Sequence, residues 1–402
     1  MATITAGATR PSKTHYPVIA AISVSHFLND MMQSVLLAIY PILKLHLSLS
    51  FTQIGLITLA FQLTGSVLQP LIGMYADRKS RPYTLPMSML LTLSGLLVLA
   101  TATHFHAVLV AAMLIGMGSS VFHPESSRVA RLAAGQQPGL AQSIFQVGGN
   151  MGSAVGPLLA ALLILPRGLA SVAWLSLAAL IGAVLLTLAG RWAHAHMASL
   201  PARARQMVDH GLSRRTVLVS LGVLFVLIFS KFVYMASLSN YYTFYLIEKF
   251  QLSTHSAQLY LFVFLFAVAA GTLLGGPVGD RIGRKRVIWW SILGVAPFTL
   301  LLPYANLFWT GVLSVIIGLV LSSAFSAILV YAQELVPGKV ATISGLFFGL
   351  AFGTAGISAA LLGMLVDSHG LQLVYQICAF MPLIGVVTIF LPDIKETHAS
   401  GH

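Results

Sequence analysis

The chain alternates between long apolar runs and short polar breaks. Read this way it gives twelve apolar runs, at residues 17–43, 52–76, 83–103, 107–131, 139–165, 170–192, 216–247, 255–279, 287–304, 308–333, 341–366 and 371–391. An α-helix of roughly 20 apolar residues crosses the hydrocarbon core of a bilayer, so each run is read as one membrane span. Most breaks are short. The exception, residues 193–215, is polar and basic and falls near the middle of the chain. The pattern therefore predicts an all-α membrane protein. It comprises a tail at 1–16, a six-helix bundle at 17–192, a linker at 193–215, a second bundle at 216–391 and a tail at 392–402.

Composition agrees with this reading. Hydrophobic residues are 57% of the chain and charged residues 8%, against about 25% charged in soluble domains. The formal charge of +12 would suggest nucleic acid in a soluble protein. Here the basic residues fall in alternate breaks: 18 of the 22 Lys and Arg lie on the side that also carries both tails. That asymmetry predicts cytoplasmic termini and excludes nucleic acid as the expected partner. The first run is too long for a signal-peptide core and is read as an uncleaved span. The single cysteine, Cys378, permits no intrachain disulfide.

The two halves repeat at an offset of 203 positions. Gly73, Asp77, Arg78 and Arg81 correspond to Gly276, Asp280, Arg281 and Arg284, and Ser119, Ser120 and Phe122 to Ser322, Ser323 and Phe325. The loops after spans 2 and 8 read GMYADRKSRP (73–82) and GPVGDRIGRK (276–285). Glycine lets two helices approach closely, and an aspartate can accept hydrogen bonds at a neighbouring helix N-terminus. The arginines can pair with carboxylates at other helix ends, with Glu334 a candidate for Arg281 or Arg284. Such contacts would latch one side of the protein shut.

These loops resemble the G-x-x-x-D-R-x-G-R-[KR] motif of the major facilitator superfamily, with Ser80 where the first copy would carry glycine. The resemblance implies two bundles related by a pseudo-two-fold axis along the membrane normal, working by alternating access. In span 5, Gly148, Gly149, Gly152, Gly156 and Pro157 resemble the signature of drug–proton antiporters within that superfamily, with Ser143 and Ala160 replacing two of its glycines. Small residues at this spacing also suit tight helix packing.

Ionisable residues inside spans are functional candidates by default. Asp30 lies mid-span with His26 one turn away, and Glu125 lies three positions before Arg128, with His123 close by. Asp30, Glu125, His26 and His123 are read as a proton relay. Arg128, and Lys231 in span 7, could meet an anion. Asn29, the stripe Gln142, Gln146 and Asn150, and the aromatic group Tyr234, Tyr241 and Tyr242 complete the candidate substrate contacts; the stripe serves equally well as interhelical glue. No metal site is expected, because no cysteine is near and the histidine–acid pairs do not repeat as ligand sets.

The strings SHFLND (25–30), GSSVFHPESSR (118–128), QSIFQVGGN (142–150), YYTFY (241–245) and SAILVYAQE (326–334) resemble the bacterial fosmidomycin-resistance exporters. Ala112 stands near the place of the early span-4 arginine common in drug exporters. This resemblance implies a monomeric, cofactor-free antiporter of the bacterial inner membrane. Driven by the proton gradient, it would export a small anionic phosphonate drug and confer resistance. An importer of a small organic anion or sugar on the same fold is the alternative. No nucleophile–base set or nucleotide loop suggests an enzyme.

Overall fold

The computed structural model describes residues 13–39, 42–43, 46–49, 51–78, 81–199 and 212–393. Both tails and most of the linker lie outside the described residues. Within them the chain is helical throughout, and twelve spans follow one another: α1 Tyr16–Ala38, α2 Phe51–Arg78, α3 Thr84–Ala100, α4 Phe105–Ala133, α5 Pro138–Leu159, α6 Leu175–Ser199, α7 Arg214–Phe250, α8 Thr254–Ile282, α9 Arg284–Ile292 continued as Ala296–Leu301, α10 Leu307–Ser322 continued as Ala324–Leu335, α11 Val340–His369, and α12 Leu371–Cys378 continued as Met381–Phe390.

Helix starts follow local chemistry. Ser213 and Ser253 accept hydrogen bonds from the backbone N–H groups of Thr216 and Ser256, and Asn306 does the same for Trp309. Each satisfies one of the N–H groups a first turn leaves bare. The apolar pattern does not show that α9 and α10 are interrupted, near Gly294 and Ser323, nor that α5 passes into a π-helical turn at Ala160–Ile164. Pro157 has no N–H to give the Ser153 carbonyl; that carbonyl accepts instead from Ser34 Oγ of α1, at 2.8 Å.

Packing repeats between the halves. α1 lies on α5 as α7 lies on α11, α2 on α4 as α8 on α10, and α3 on α6 as α9 on α12. Outward faces are apolar at helical spacing: Leu59, Leu63, Val67 and Leu71, four apart, are each more than half exposed. Such a stripe is satisfied by lipid tails. α1, α2 and α5 carry polar residues toward the interior, among them Asn29, Gln69 and Gln142.

The halves meet mainly through α2 against α11 and α5 against α8, with α4 touching α11 and α5 touching α10. This seam brings the repeated loops and the interior charges into contact.

Candidate functional site

The seam is sealed at the end that carries the basic loops. Gly73 of α2 sits so close to Ala341 that a Cβ would overlap its carbonyl. That approach places the Asp77 carboxylate at the first turn of α11. It accepts from Ala341 N at 3.0 Å, Thr342 N at 2.8 Å and Thr342 Oγ1 at 2.6 Å. On the other side of the molecule Gly276 of α8 abuts Gly139, and Asp280 accepts from Gly139 N at 2.9 Å and Leu140 N at 3.0 Å, at the start of α5. Each aspartate meets a helix N-terminus, where bare N–H groups and the helix dipole favour negative charge.

The arginines divide. Arg284 Nη2 lies 3.3 Å from Asp280 Oδ1 and 3.0 Å from Glu334 Oε1, and Arg131 Nη2 reaches the same Glu334 oxygen at 3.5 Å. Of the two expected partners of Glu334, the structure selects Arg284. Arg78, Arg81 and Arg281 are exposed and pair with no described carboxylate.

Just inside the latches lies a buried neutral cluster that joins four helices. Ser127 Oγ donates to Gln142 Oε1 at 3.1 Å, Gln333 Nε2 reaches Ser127 Oγ at 3.2 Å and Ser344 Oγ at 2.9 Å, and the two serine oxygens are 3.0 Å apart. Asn150 Nδ2 donates to Thr272 Oγ1 of α8 at 3.2 Å. Gln142 and Asn150 are therefore contacts between helices in this state, whereas Gln146 keeps an Oε1 with no hydrogen-bond partner among the described residues. Ser127, Gln333, Ser344 and Thr272 were not singled out from the sequence, where single serines, threonines and glutamines inside spans give no pattern.

Deeper along the seam, α1 lies flush on α5. A Cβ at Gly148, Gly152 or Gly156 would overlap Ser23, Phe27 or Ser34 respectively. This contact sets the position of His26, whose Nδ1 is 2.7 Å from Phe145 O and whose ring stacks on Phe145 at 4.2 Å between centroids. His123 of α4 is held in the same manner, with Nδ1 2.9 Å from Ser119 O. A carbonyl only accepts, so the His26 contact calls for a proton on Nδ1, whereas His123 Nδ1 also lies 3.2 Å from the Ser119 hydroxyl, which can donate or accept; both Nε2 atoms point inward. They converge on Asp30: His26 Nε2 is 3.3 Å from Oδ2 and His123 Nε2 3.6 Å from Oδ1. Asn29 Nδ2 adds a hydrogen bond to Oδ1 at 3.0 Å. Both histidines are buried, while Asp30 borders a cavity of about 220 Å³ with Gln33, Ser34, Gln62, Ser119, Ser153 and Phe352.

Glu125 does not join this group, which corrects the expectation of a four-membered relay. It lies beside the latch cluster, where Arg128 Nη2 approaches Oε2 at 2.9 Å and Nε at 3.1 Å, and Thr84 Oγ1 of α3 donates to Oε1 at 3.0 Å. These three contacts hold the carboxylate in place in this state.

The candidate residues of the second half lie inside their own bundle. Lys231 is buried, but its Nζ faces the Ser322 carbonyl at 3.5 Å and the rings of Phe232 and Phe325, each 5.3 Å from centroid, not Asp30. Ser322 ends the first segment of α10, where carbonyls lack helical partners, so the interruption of α10 supplies the lysine with an acceptor. Tyr234 and Tyr242 lie in the core of this bundle, with Tyr242 Oη 3.4 Å from Thr310 O, and Tyr241 is half-buried. The tyrosines thus belong to the bundle's own packing and do not line the Asp30 cavity.

Comparison with known proteins agrees with this architecture. The sequence profile of the Major Facilitator Superfamily matches residues 22–253 and 223–401. The fosmidomycin resistance protein of Escherichia coli is 60% identical over 388 residues, covering 96% of each chain. An uncharacterised transporter of the same superfamily from Bacillus subtilis is 42% identical, covering 97% of each. Among solved structures, a human organic anion transporter superposes with a TM-score of 0.75 at 18% identity, covering 94% of this chain and 99% of the other. The FucP transporter in its outward conformation superposes with a TM-score of 0.72 at 15% identity, over 94% and 99%. At these identities the structures speak to fold alone. The paired aspartate–helix latches, the repeated bundles and the matched profile together establish that the chain belongs to the major facilitator superfamily.

Proposed function

We propose that the chain exports a small anionic drug from the bacterial cytoplasm in exchange for protons, with fosmidomycin as the first cargo to test. One observation carries the reading: a cavity ends on Asp30 while the seam beneath it is sealed by two latches and a neutral cluster. A carboxylate that borders a cavity, beside a seam that is shut in this state and opens in another, suits taking a proton in one state and releasing it in the other. The fosmidomycin resistance activity named for the 60% identical E. coli relative supplies the cargo.

In this reading the basic end faces the cytoplasm, as the distribution of Lys and Arg requires. Release of the Asp77 and Asp280 contacts opens that end. An entering anion then meets Arg128 and Lys231, which carry positive charge into the interior. The inside-negative potential aids the outward passage of an anion by about 2.3 kcal/mol per charge per 100 mV.

The test is transport in proteoliposomes under an imposed pH gradient. Asp30→Asn is expected to abolish proton-driven fosmidomycin movement, and Glu125→Gln to reduce it without uncoupling it from protons. Gradient-driven transport at the wild-type rate in Asp30→Asn sinks the assignment of Asp30, and lower drug tolerance in cells expressing the wild-type chain sinks export.

A further inference from the structure

We infer that His26, Asp30 and His123 form a binding site for a divalent transition-metal ion of the Zn²⁺ class, with its open coordination position toward the cavity. The ligand atoms of the three side chains lie within 4.8 Å of one another. Two ligands at Zn²⁺ bond lengths in tetrahedral geometry stand about 3.3 Å apart. The two His–Asp separations, to different oxygens of Asp30, are 3.3 and 3.6 Å, and no pair of ligand atoms is more than 4.8 Å apart, so the side chains close on a shared ion by moving inward.

The arrangement around the three residues is the one metal ligands use. In each ring Nδ1 is spent on a backbone carbonyl, Phe145 O or Ser119 O. Such outer contacts fix the tautomer and aim the other nitrogen at the ion. His123 Nε2 is fully buried and faces Asp30 Oδ1 at 3.6 Å, beyond hydrogen-bond distance, with no closer hydrogen-bond partner among the described residues. A neutral ring in this orientation sets a nitrogen lone pair against a carboxylate oxygen, which is unfavourable on both sides. Protonating both rings would place two cations against one carboxylate. A divalent ion accepts both lone pairs and the carboxylate together.

The site also has room and a path. α5 passes it at Gly149, where a Cβ would overlap both His26 Nε2 and Asp30 Oδ2, so the side of the triad facing α5 is kept clear. Phe145, Phe348 and Phe352 enclose the rings, and Asp30 alone of the three borders the cavity, which makes it the point of entry. Two imidazoles and one carboxylate select Zn²⁺, Co²⁺ or Ni²⁺ over Mg²⁺ or Ca²⁺, which take oxygen ligands. No Lys or Arg lines the Asp30 cavity among the described residues. A bound M²⁺ against one carboxylate leaves a net positive charge there, together with a coordination position that suits an oxygen of an anionic cargo.

The site shares Asp30 with the proposed proton coupling but does not rest on it, and it is tested by binding. The purified full-length chain is stripped with chelator and titrated with Zn²⁺ by calorimetry, in parallel with His26→Gln and His123→Gln. Wild type is expected to bind one more equivalent than either variant, or to bind at least about tenfold more tightly, histidines elsewhere being common to all three. Co²⁺ should give a ligand-field absorption band in wild type that is absent from both variants. Thermal melting without metal identifies folded variants, and Gly149→Ala serves as a further probe that keeps all three ligands while crowding the ion. Equal stoichiometry and affinity in wild type and a folded variant, or an unchanged Co²⁺ band, overturns the site. Transport by Asp30→Asn in chelator reads the proton assignment separately, so either idea can fail alone.

Discussion

The two latches descend from one repeated loop, yet they hold by different means. At Asp77 the carboxylate meets two backbone N–H groups and the Thr342 hydroxyl, with no arginine in contact. At Asp280 it meets two N–H groups and Arg284, which passes the charge on to Glu334 and Arg131. The repeat explains the difference. The position 203 residues before Glu334 holds Arg131. The first half therefore lacks the carboxylate that would engage Arg81, and it sends an arginine across the seam instead. One latch is a helix cap and the other an ion network. A loop motif shared residue for residue does not guarantee shared energetics.

The sharpest way to break this comparison is to remove the matching arginines. Arg284→Ala leaves part-buried Asp280 without its arginine and Glu334 with only the longer Arg131 contact, and should cost about 3–5 kcal/mol of stability of the closed state. Arg81→Ala should cost at most about 0.5 kcal/mol, as an exposed substitution away from any contact. Thermal melting and fosmidomycin tolerance measure both, and equal losses would show that the network is incidental. A smaller effect is expected from Asp77→Ala. It removes contacts from ionised groups that contribute about 1.5–3 kcal/mol each, partly recovered by water, for a net cost near 3 kcal/mol. The readout is a cysteine placed at Ser143, which packs against Gly276 in the opposite latch; its labelling should rise if one latch alone cannot hold the seam. The native Cys378 is buried and contributes little background. The smallest effect belongs to Arg131→Ala. Its side chain is 30% exposed and shares Glu334 with Arg284, so the loss should be about 0.5–1 kcal/mol. A loss as large as that of Arg284→Ala would place the centre of the network at Arg131.

Much of the fold was legible in the sequence, because a membrane enforces it. Spans of fixed length, basic loops on one side and a fixed repeat offset are read directly from residues. The roles of Asp77 and Asp280 at helix N-termini followed from their chemistry. What could not be read was partnership across the chain. Glu125 and Asp30 look alike as acids inside spans; the spacing offers Arg128 to Glu125, but only the packing of α3 adds Thr84 to the hold. His26 and His123 were both noted, yet their convergence on Asp30 depends on α1 and α4 meeting beside α5. The burial of Tyr234 and Tyr242 could not be read either, because an aromatic cluster on one helix does not reveal which face is turned to the bundle core. The breaks in α9 and α10 were hidden by uninterrupted apolar composition.

The Asp77 contact joins residues 264 positions apart, whereas Asp280 and Gly139 are separated by 141. At ribosomal speeds of about 5–20 residues per second, Asp77 waits about 13–53 s for Ala341 to be made, while the Gly139 end of α5 waits about 7–28 s for Asp280. The first bundle is thus born with both of its seam surfaces bare. It must persist in the bilayer as a half-molecule, closing first on α8 and last on α11, so the order of biosynthesis makes the Asp77 helix cap the final bolt to be drawn.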